Sequence, residues 1–147
     1  MDISPERLDF VREKIGADHV VNSMEDPIGK VSEITHSDLA TTVFDATGNR
    51  TALETGVKYL AHGGTYVLVG LSKGELTFVH PEIHAKETSL LCSRNATIGD
   101  FERVISLMPD FPTTAYVTDR VPFESVISEI DNWINPEYGT IKAMLTL

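Results

Sequence analysis

Asp2 is followed at once by a helix start, with Ser4 as cap, Pro5 in the first turn and then Glu6. A carboxylate just ahead of such a helix can accept hydrogen bonds from both ribose hydroxyls of an adenosine, and it repels a 2′-phosphate, which favours NAD over NADP. Arg7, about a turn into the helix, is placed to cover the adenine or the ribose. The same two residues also describe a charged chain end beside a solvated helix residue, and spacing alone does not separate the two. A second stretch, F-D-A-T-G-N at 44–49, ends a strand in a small residue, Thr and Gly, which lets the backbone approach a ligand closely. Asn49 can cap the next helix, and the stretch reads equally well as a plain strand-to-helix turn. In the third, V-G-L at 69–71, Gly70 allows a flat ring to lie against the backbone, a weak signal when taken alone.

Other chemistries find less support. His80 and His84, in H-P-E-I-H, have the i,i+4 spacing of a metal pair, but no third ligand of the right type is obvious. Pro81 also makes the helix start there, so no metal site is expected. Cys92 lies inside an apolar strand and is expected to be a buried, inert thiol. As the sole cysteine it allows neither a disulfide framework nor a Cys-based zinc site. There is no G-x-S-x-G elbow, no P-loop and no recognisable carboxylate pair.

The elements that must position these residues are read from two alternating apolar periods. Residues 4–15 read as a helix with Leu8, Val11 and Ile15 on one face, stopped by Gly16. D-H-V-V-N at 18–22 reads as a short strand, and Asp26-Pro27 caps a helix with Ile28, Val31 and Ile34 inward. Strand 41–47 leads through Gly48-Asn49 into a helix carrying Leu53, Val57 and Leu60. Gly63-Gly64 is expected to end that helix and launch the buried strand T-Y-V-L-V-G. A short helix at 81–87 and a strand at 89–93 come next, then a helix at 100–108 with Phe101, Val104, Ile105 and Met108 inward. Strands alternating with helices of this length imply parallel pairing, hence an α/β fold. After Met108 the texture changes. A loop, an extended A-Y-V-T-D-R-V, an amphipathic helix on Phe123, Val126, Ile127, Ile130 and Ile134, and a half-buried strand T-I-K-A-M-L-T-L form an appendage. The expected domains are 1–110, a partial nucleotide-binding unit, and 111–147, a carboxyl-terminal segment.

The 147 residues suit one domain with a small appendage, and 41% hydrophobic with 23% charged residues is ordinary for a globular chain. A net charge of −10, with no Lys/Arg stripe, argues against nucleic acid and anionic membranes as partners. No apolar run reaches membrane-spanning length and residues 1–15 are too acidic for a signal peptide, so a cytoplasmic location is expected.

D-I-S-P-E-R-L-D-F-V-R-E-K-I-G-A-D-H-V-V-N resembles the end of the second nucleotide-domain strand, together with the segment after it, in zinc-type alcohol dehydrogenases, the medium-chain dehydrogenase/reductases. V-F-D-A-T-G-N through Y-V-L-V-G-L is similar to the later strands of that domain, and K-E-T-S-L-L-C-S-R-N to the strand lining the nicotinamide pocket. P-F-E-S-V and G-T-I-K-A-M-L-T-L resemble the return of the chain to the catalytic domain. The blocks cover nearly the whole chain in family order, closest to the alcohol, sorbitol and sugar-acid branch. The resemblance implies a partial Rossmann-type parallel sheet with helices on both faces. It places Asp2 on the adenosine ribose, Arg7 beside the adenine, and Ala46, Thr47 and Asn49 along the cofactor trough. Val69, Gly70 and Leu71 would sit by the nicotinamide, with backbone groups of Ser93 and Asn95 on its carboxamide.

The family's amino-terminal domain, with its catalytic and structural zinc ligands, and the glycine-rich loop on the first strand have no counterpart in these residues. The chain thus looks like the carboxyl-terminal part of a dehydrogenase, starting at the tip of the second strand. In a sheet of order 3-2-1-4-5-6, strand 18–22 is expected to move over and pair with 41–47. The result would be four parallel strands, ordered 18–22, 41–47, 64–70, 89–93. A homodimer through the edge strand near 89–93 is expected as well. The resemblance implies NAD(P)-dependent oxidation of an alcohol or polyol, with zinc supplied by the missing part and turnover by the chain alone not expected. Two rivals are a non-catalytic dimerising or binding module, and a methyltransferase-type fragment.

Overall fold

The computed structural model describes residues 1–147, apart from the side chain of Pro136. The chain groups into two compact units, Met24–Ala96 and Met1–Ser23 with Thr97–Leu147.

The unit Met24–Ala96 holds the sheet. Asp26 caps α2 (Pro27–Ile34), its carboxylate accepting the Gly29 amide at 3.2 Å. β1 (Ala40–Asp45) runs into a turn from which Asn49 caps α3 (Arg50–Thr55), and a 3₁₀ turn, Gly56–Tyr59, carries the chain into β2 (Leu60–Leu68). α4 (His80–Ala85) precedes β3 (Ser89–Cys92). The three strands pair in parallel in the order β1-β2-β3, the α/β architecture that the strand–helix alternation predicts. Val57, Leu60 and Tyr66 form the core, with Val43, Leu68, Phe78 and Ile83 packed against it.

The unit Met1–Ser23 with Thr97–Leu147 begins with α1 (Pro5–Phe10), which widens into a π-helical turn, Val11–Ile15, and stops at Gly16 with φ +82°. α5 (Ile98–Leu107) starts in a capping box: Thr97 Oγ1 accepts the Asp100 amide and the Asp100 carboxylate accepts the Thr97 amide. α6 (Thr113–Tyr116), β4 (Asp119–Pro122), α7 (Val126–Ile134) and β5 (Ala143–Thr146) complete it, β4 and β5 pairing in parallel.

Four expectations are corrected. Strand 18–22 does not join the sheet, which has three strands rather than four. Residues 21–23 already have a parallel partner in Asp2, whose amide donates to Val21 O at 3.3 Å and whose carbonyl accepts the Ser23 amide at 3.0 Å. Moving to β1 would forfeit both bonds. Second, Gly63-Gly64 lies inside β2 rather than ahead of it. The register passes from Ala40↔Leu60 to Thr42↔Thr65, so β2 bulges there, with Gly63 at φ +69° and its amide turned to Lys86 O at 2.7 Å. Third, Cys92 is exposed, because β3 is an edge strand whose four residues are all exposed. Fourth, residues 115–116 are helical in α6, since Pro112 O receives the Ala115 and Tyr116 amides, both at 3.0 Å.

The apolar face expected on the helix at 100–108 forms but meets no core: Phe101 and Ile105 are 61% and 68% exposed. The chain presents 10877 Å² to solvent. A closed domain of 16.2 kDa exposes about 7,500 Å². Apolar faces on β3, α5 and α7 are therefore left uncovered.

Candidate functional site

In the unit containing Asp2, the start of α1 is held by its own side chains. Asp2 Oδ1 accepts the Ser4 amide at 2.9 Å, and Ser4 Oγ accepts the Arg7 amide at 3.2 Å while donating to Glu6 Oε2 at 2.8 Å. The Glu6 carboxyl is held below its usual range by its backbone hydrogen bond and by the Ser4 hydroxyl. These bonds leave Asp2 Oδ2 and the Arg7 guanidinium without a partner among the described residues.

Asp2 and Arg7 line one cleft of about 430 Å³, within the size range of small-ligand pockets. The π-helical turn puts Val11 and Ile15 on its wall; such turns recur at functional sites. Phe111 and Tyr116 meet edge-to-face on another side, with ring centroids 5.4 Å apart. Thr140 completes the lining, and its Oγ1 is buried without a hydrogen-bond partner. An orphaned buried hydroxyl costs about 1–3 kcal/mol. A carboxylate oxygen, a guanidinium and an apolar wall therefore share one cleft.

The other predicted residues gather on the carboxyl rim of the sheet in the unit Met24–Ala96. Asp45 O accepts the amides of Val69 and Gly70, both at 2.8 Å, and Leu68 O accepts the Ser93 amide at 2.9 Å, so the three strand ends are tied together. The Asp45 carboxylate is buried; Oδ1 accepts the Thr47 amide at 2.8 Å and the Thr47 hydroxyl at 2.7 Å. Thr47 Oγ1 accepts the Asn49 amide at 3.1 Å, and Asn49 Oδ1 accepts the Ala52 amide at 3.1 Å. The side chains of Thr47 and Asn49 are thus engaged in the turn itself, leaving backbone as the surface that the loop offers. At Gly70 the close approach is made by the chain: a Cβ there would stand 2.3 Å from Gly48 N and 3.0 Å from the Ala46 carbonyl carbon. Ala46, Val69, Leu71 and Asn95 are exposed, Asn95 at φ +63°.

The structure therefore brings Asp2 and Arg7 together in one unit. In the other it brings Ala46, Thr47, Asn49, Val69, Gly70, Leu71 and Ser93 along one sheet rim, with Asn95 two residues further on. Sequence reading missed Phe111, Tyr116 and Thr140, which carry no motif and reach the cleft only through the fold. It also missed the Asp45 carboxylate, although F-D-A-T-G-N displays it. His80 and His84 stack with ring centroids 5.5 Å apart, but among the described residues no three His, Cys, Asp or Glu side chains are grouped to hold a metal.

A parallel sheet with short loops tied along its carboxyl rim defines a Rossmann-like nucleotide-binding fold. The chain belongs to the zinc-binding dehydrogenase family, whose model matches residues 1–110. It is 38% identical to the L-galactonate-5-dehydrogenase of Escherichia coli K12, over 99% of this chain and 43% of that protein. It is 29% identical to an NAD-dependent alcohol dehydrogenase of Saccharolobus solfataricus, over 92% of this chain and 39% of that one. Among solved structures, the short chain alcohol dehydrogenase rspB of E. coli CFT073, complexed with NADH, superposes with a TM-score of 0.86 at 24% identity, covering 99% of this chain and 43% of its own. The chain spans about two fifths of the length of the curated relatives it matches, and corresponds to their carboxyl-terminal, cofactor-binding part. No helix among the described residues is long and apolar enough to cross a membrane.

Proposed function

We propose that this chain holds the cofactor for NAD-dependent oxidation of an alcohol or polyol, and that it works with a polypeptide portion carrying the zinc site. The observation that supports this most is the convergence of Asp2 and Arg7 on one cleft in a chain of this family. Asp2 Oδ2 takes the ribose hydroxyls and excludes a 2′-phosphate by charge, so NAD is preferred. Arg7 lies over the adenine side. Backbone of the 46–49 loop and of Val69–Leu71 faces the cofactor, and Ser93 and Asn95 present main-chain groups to the carboxamide. When bound, NAD supplies the hydride acceptor.

Titration with NADH, followed by nucleotide fluorescence and calorimetry, tests this reading. NADH is expected to bind in preference to NADPH. Asp2→Asn should weaken NADH about ten-fold, as loss of a charge-assisted hydrogen bond does, and narrow the preference over NADPH. Equal binding of the two nucleotides by the unmodified chain contradicts the assignment.

A second reading has its own observation. β3 is an exposed edge strand and α5 carries an uncovered apolar face, so a dimerising module without cofactor also accounts for the surface. NADH calorimetry that stays silent while sedimentation shows a dimer selects this second reading.

A further inference from the structure

α4 carries two imidazoles that cofactor binding does not use. Sequence reading puts the start of this helix at Pro81, which leaves His80 outside it. In the structure α4 begins at His80, with Pro81 in its first turn, so His80 and His84 stand one turn apart on the same helix face. That turn is anchored. Val79 O accepts the Glu82 amide at 2.9 Å and the Ile83 amide at 3.3 Å, and Ile83 packs on the core. Both imidazoles are exposed and share one pocket with Glu87. Neither has a hydrogen-bond or ion-pair partner among the described residues. The cation nearest in sequence, Lys86, turns its Nζ to the carbonyls of Val57, Lys58 and Leu60, so it does not cover the pair.

The spacing of the two rings points to the ligand. A tetrahedral ion held at about 2.0–2.1 Å by one nitrogen of each ring sets their centroids about 5 Å apart. The observed separation is 5.5 Å, and exposed rings can turn by the small amount that remains. Neutral imidazole suits a borderline transition-metal dication, whereas Mg²⁺ and Ca²⁺ take oxygen ligands. Among the described residues no third His, Cys, Asp or Glu side chain completes the group, so two nitrogens are what the protein supplies. We propose that His80 and His84 form a two-imidazole chelate for a dication of the Zn²⁺ class on the surface of α4, with water in the remaining positions.

The test is calorimetric titration of the untagged 147-residue chain with Zn²⁺ alone and with Mg²⁺ alone. One Zn²⁺ per chain is expected, in preference to Mg²⁺. His80→Ala and His84→Ala should each weaken Zn²⁺ about a hundred-fold, because the second nitrogen of a chelate is presented intramolecularly. His19→Ala, which removes an exposed histidine outside α4, should bind Zn²⁺ as the unmodified chain does. Proton NMR of the unmodified chain gives a reading that needs no variant: Zn²⁺ should shift the ring signals of His80 and His84 and leave those of His19 in place. The proposal is overturned if the unmodified chain takes up no Zn²⁺ at millimolar concentration, or if either α4 variant binds it as the unmodified chain does. Equal affinity for Mg²⁺ assigns the ion to carboxylates and overturns it too, as do NMR shifts confined to other histidines.

Discussion

Removing a single oxygen, by Tyr66→Phe, tests how the core of the sheet unit is held. The Tyr66 side chain is fully buried, and its hydroxyl donates to Leu53 O at 2.9 Å. Asp45 Oδ2 lies at 3.5 Å, a longer approach to a proton already given to Leu53. A Cβ on Gly56 would stand 2.1 Å from that same hydroxyl, so the helix–strand packing is built around it. Phe forfeits a net hydrogen bond of about 0.5–1.5 kcal/mol and leaves a buried carbonyl unsatisfied, for a total of about 2 kcal/mol. For a chain of this length that lowers Tm by roughly 4–8 °C. A second signature lies at high pH. Burial, and then the charge and proximity of Asp45, raise the Tyr66 pKa above its ordinary 10.0. A phenol with a raised folded-state pKa contributes stability that is fully present below pH 10 and is lost as pH climbs toward the folded value. Unfolding followed by circular dichroism at neutral and alkaline pH reads both effects. Above pH 10 the unmodified chain should lose up to about 1.4 kcal/mol per pH unit more than the Phe variant. Ionisable groups that do not act on Tyr66 cancel in the difference. If the two proteins match within about 0.5 kcal/mol at both pH values, the hydroxyl does not hold the core and this reasoning fails.

Two further predictions address the same unit. Lys86 Nζ donates to Leu60 O at 2.7 Å, Lys58 O at 3.2 Å and Val57 O at 3.4 Å, closing the end of the 3₁₀ turn where β2 begins. Lys86→Met should cost about 1.5–3 kcal/mol, read as a lower denaturant midpoint with an unchanged slope; no change in midpoint removes Lys86 from the scaffold. Leu91→Lys places a charge on the exposed edge strand, so a dimer formed there should shift to monomer in sedimentation velocity. A dimer that survives the substitution is held by another surface.

The residues most legible in the sequence were those whose signal is local. Ser4-Pro5, Asp26-Pro27 and Asn49 mark helix starts because a side chain two to four positions away satisfies a free amide, and each appears as read. Leu53 is buried on α3 as the apolar period predicts, whereas Val57 and Leu60, read as part of the same helix, are buried in the 3₁₀ turn and at the start of β2. Gly63-Gly64 misled because a glycine pair signals a turn and a bulge alike, and only the register against β1 distinguishes them. Cys92 and the α5 face misled for a different reason. Apolar character says that a surface is built to be covered, but the cover here is not among the described residues.

By itself, the sequence determined the helix starts, the parallel α/β class and the candidate carboxylate at Asp2, since propensity, capping and periodicity act within a few residues. Tertiary structure alone decided that residue 2 pairs with 21–23, that Gly70 packs on Gly48, and that Tyr116 and Thr140 share a cleft with Arg7. Each of these joins residues far apart in the chain. Such contacts depend on which backbone donors and apolar faces remain unmatched once the local elements exist, and that is a property of the assembled chain rather than of any short stretch of it.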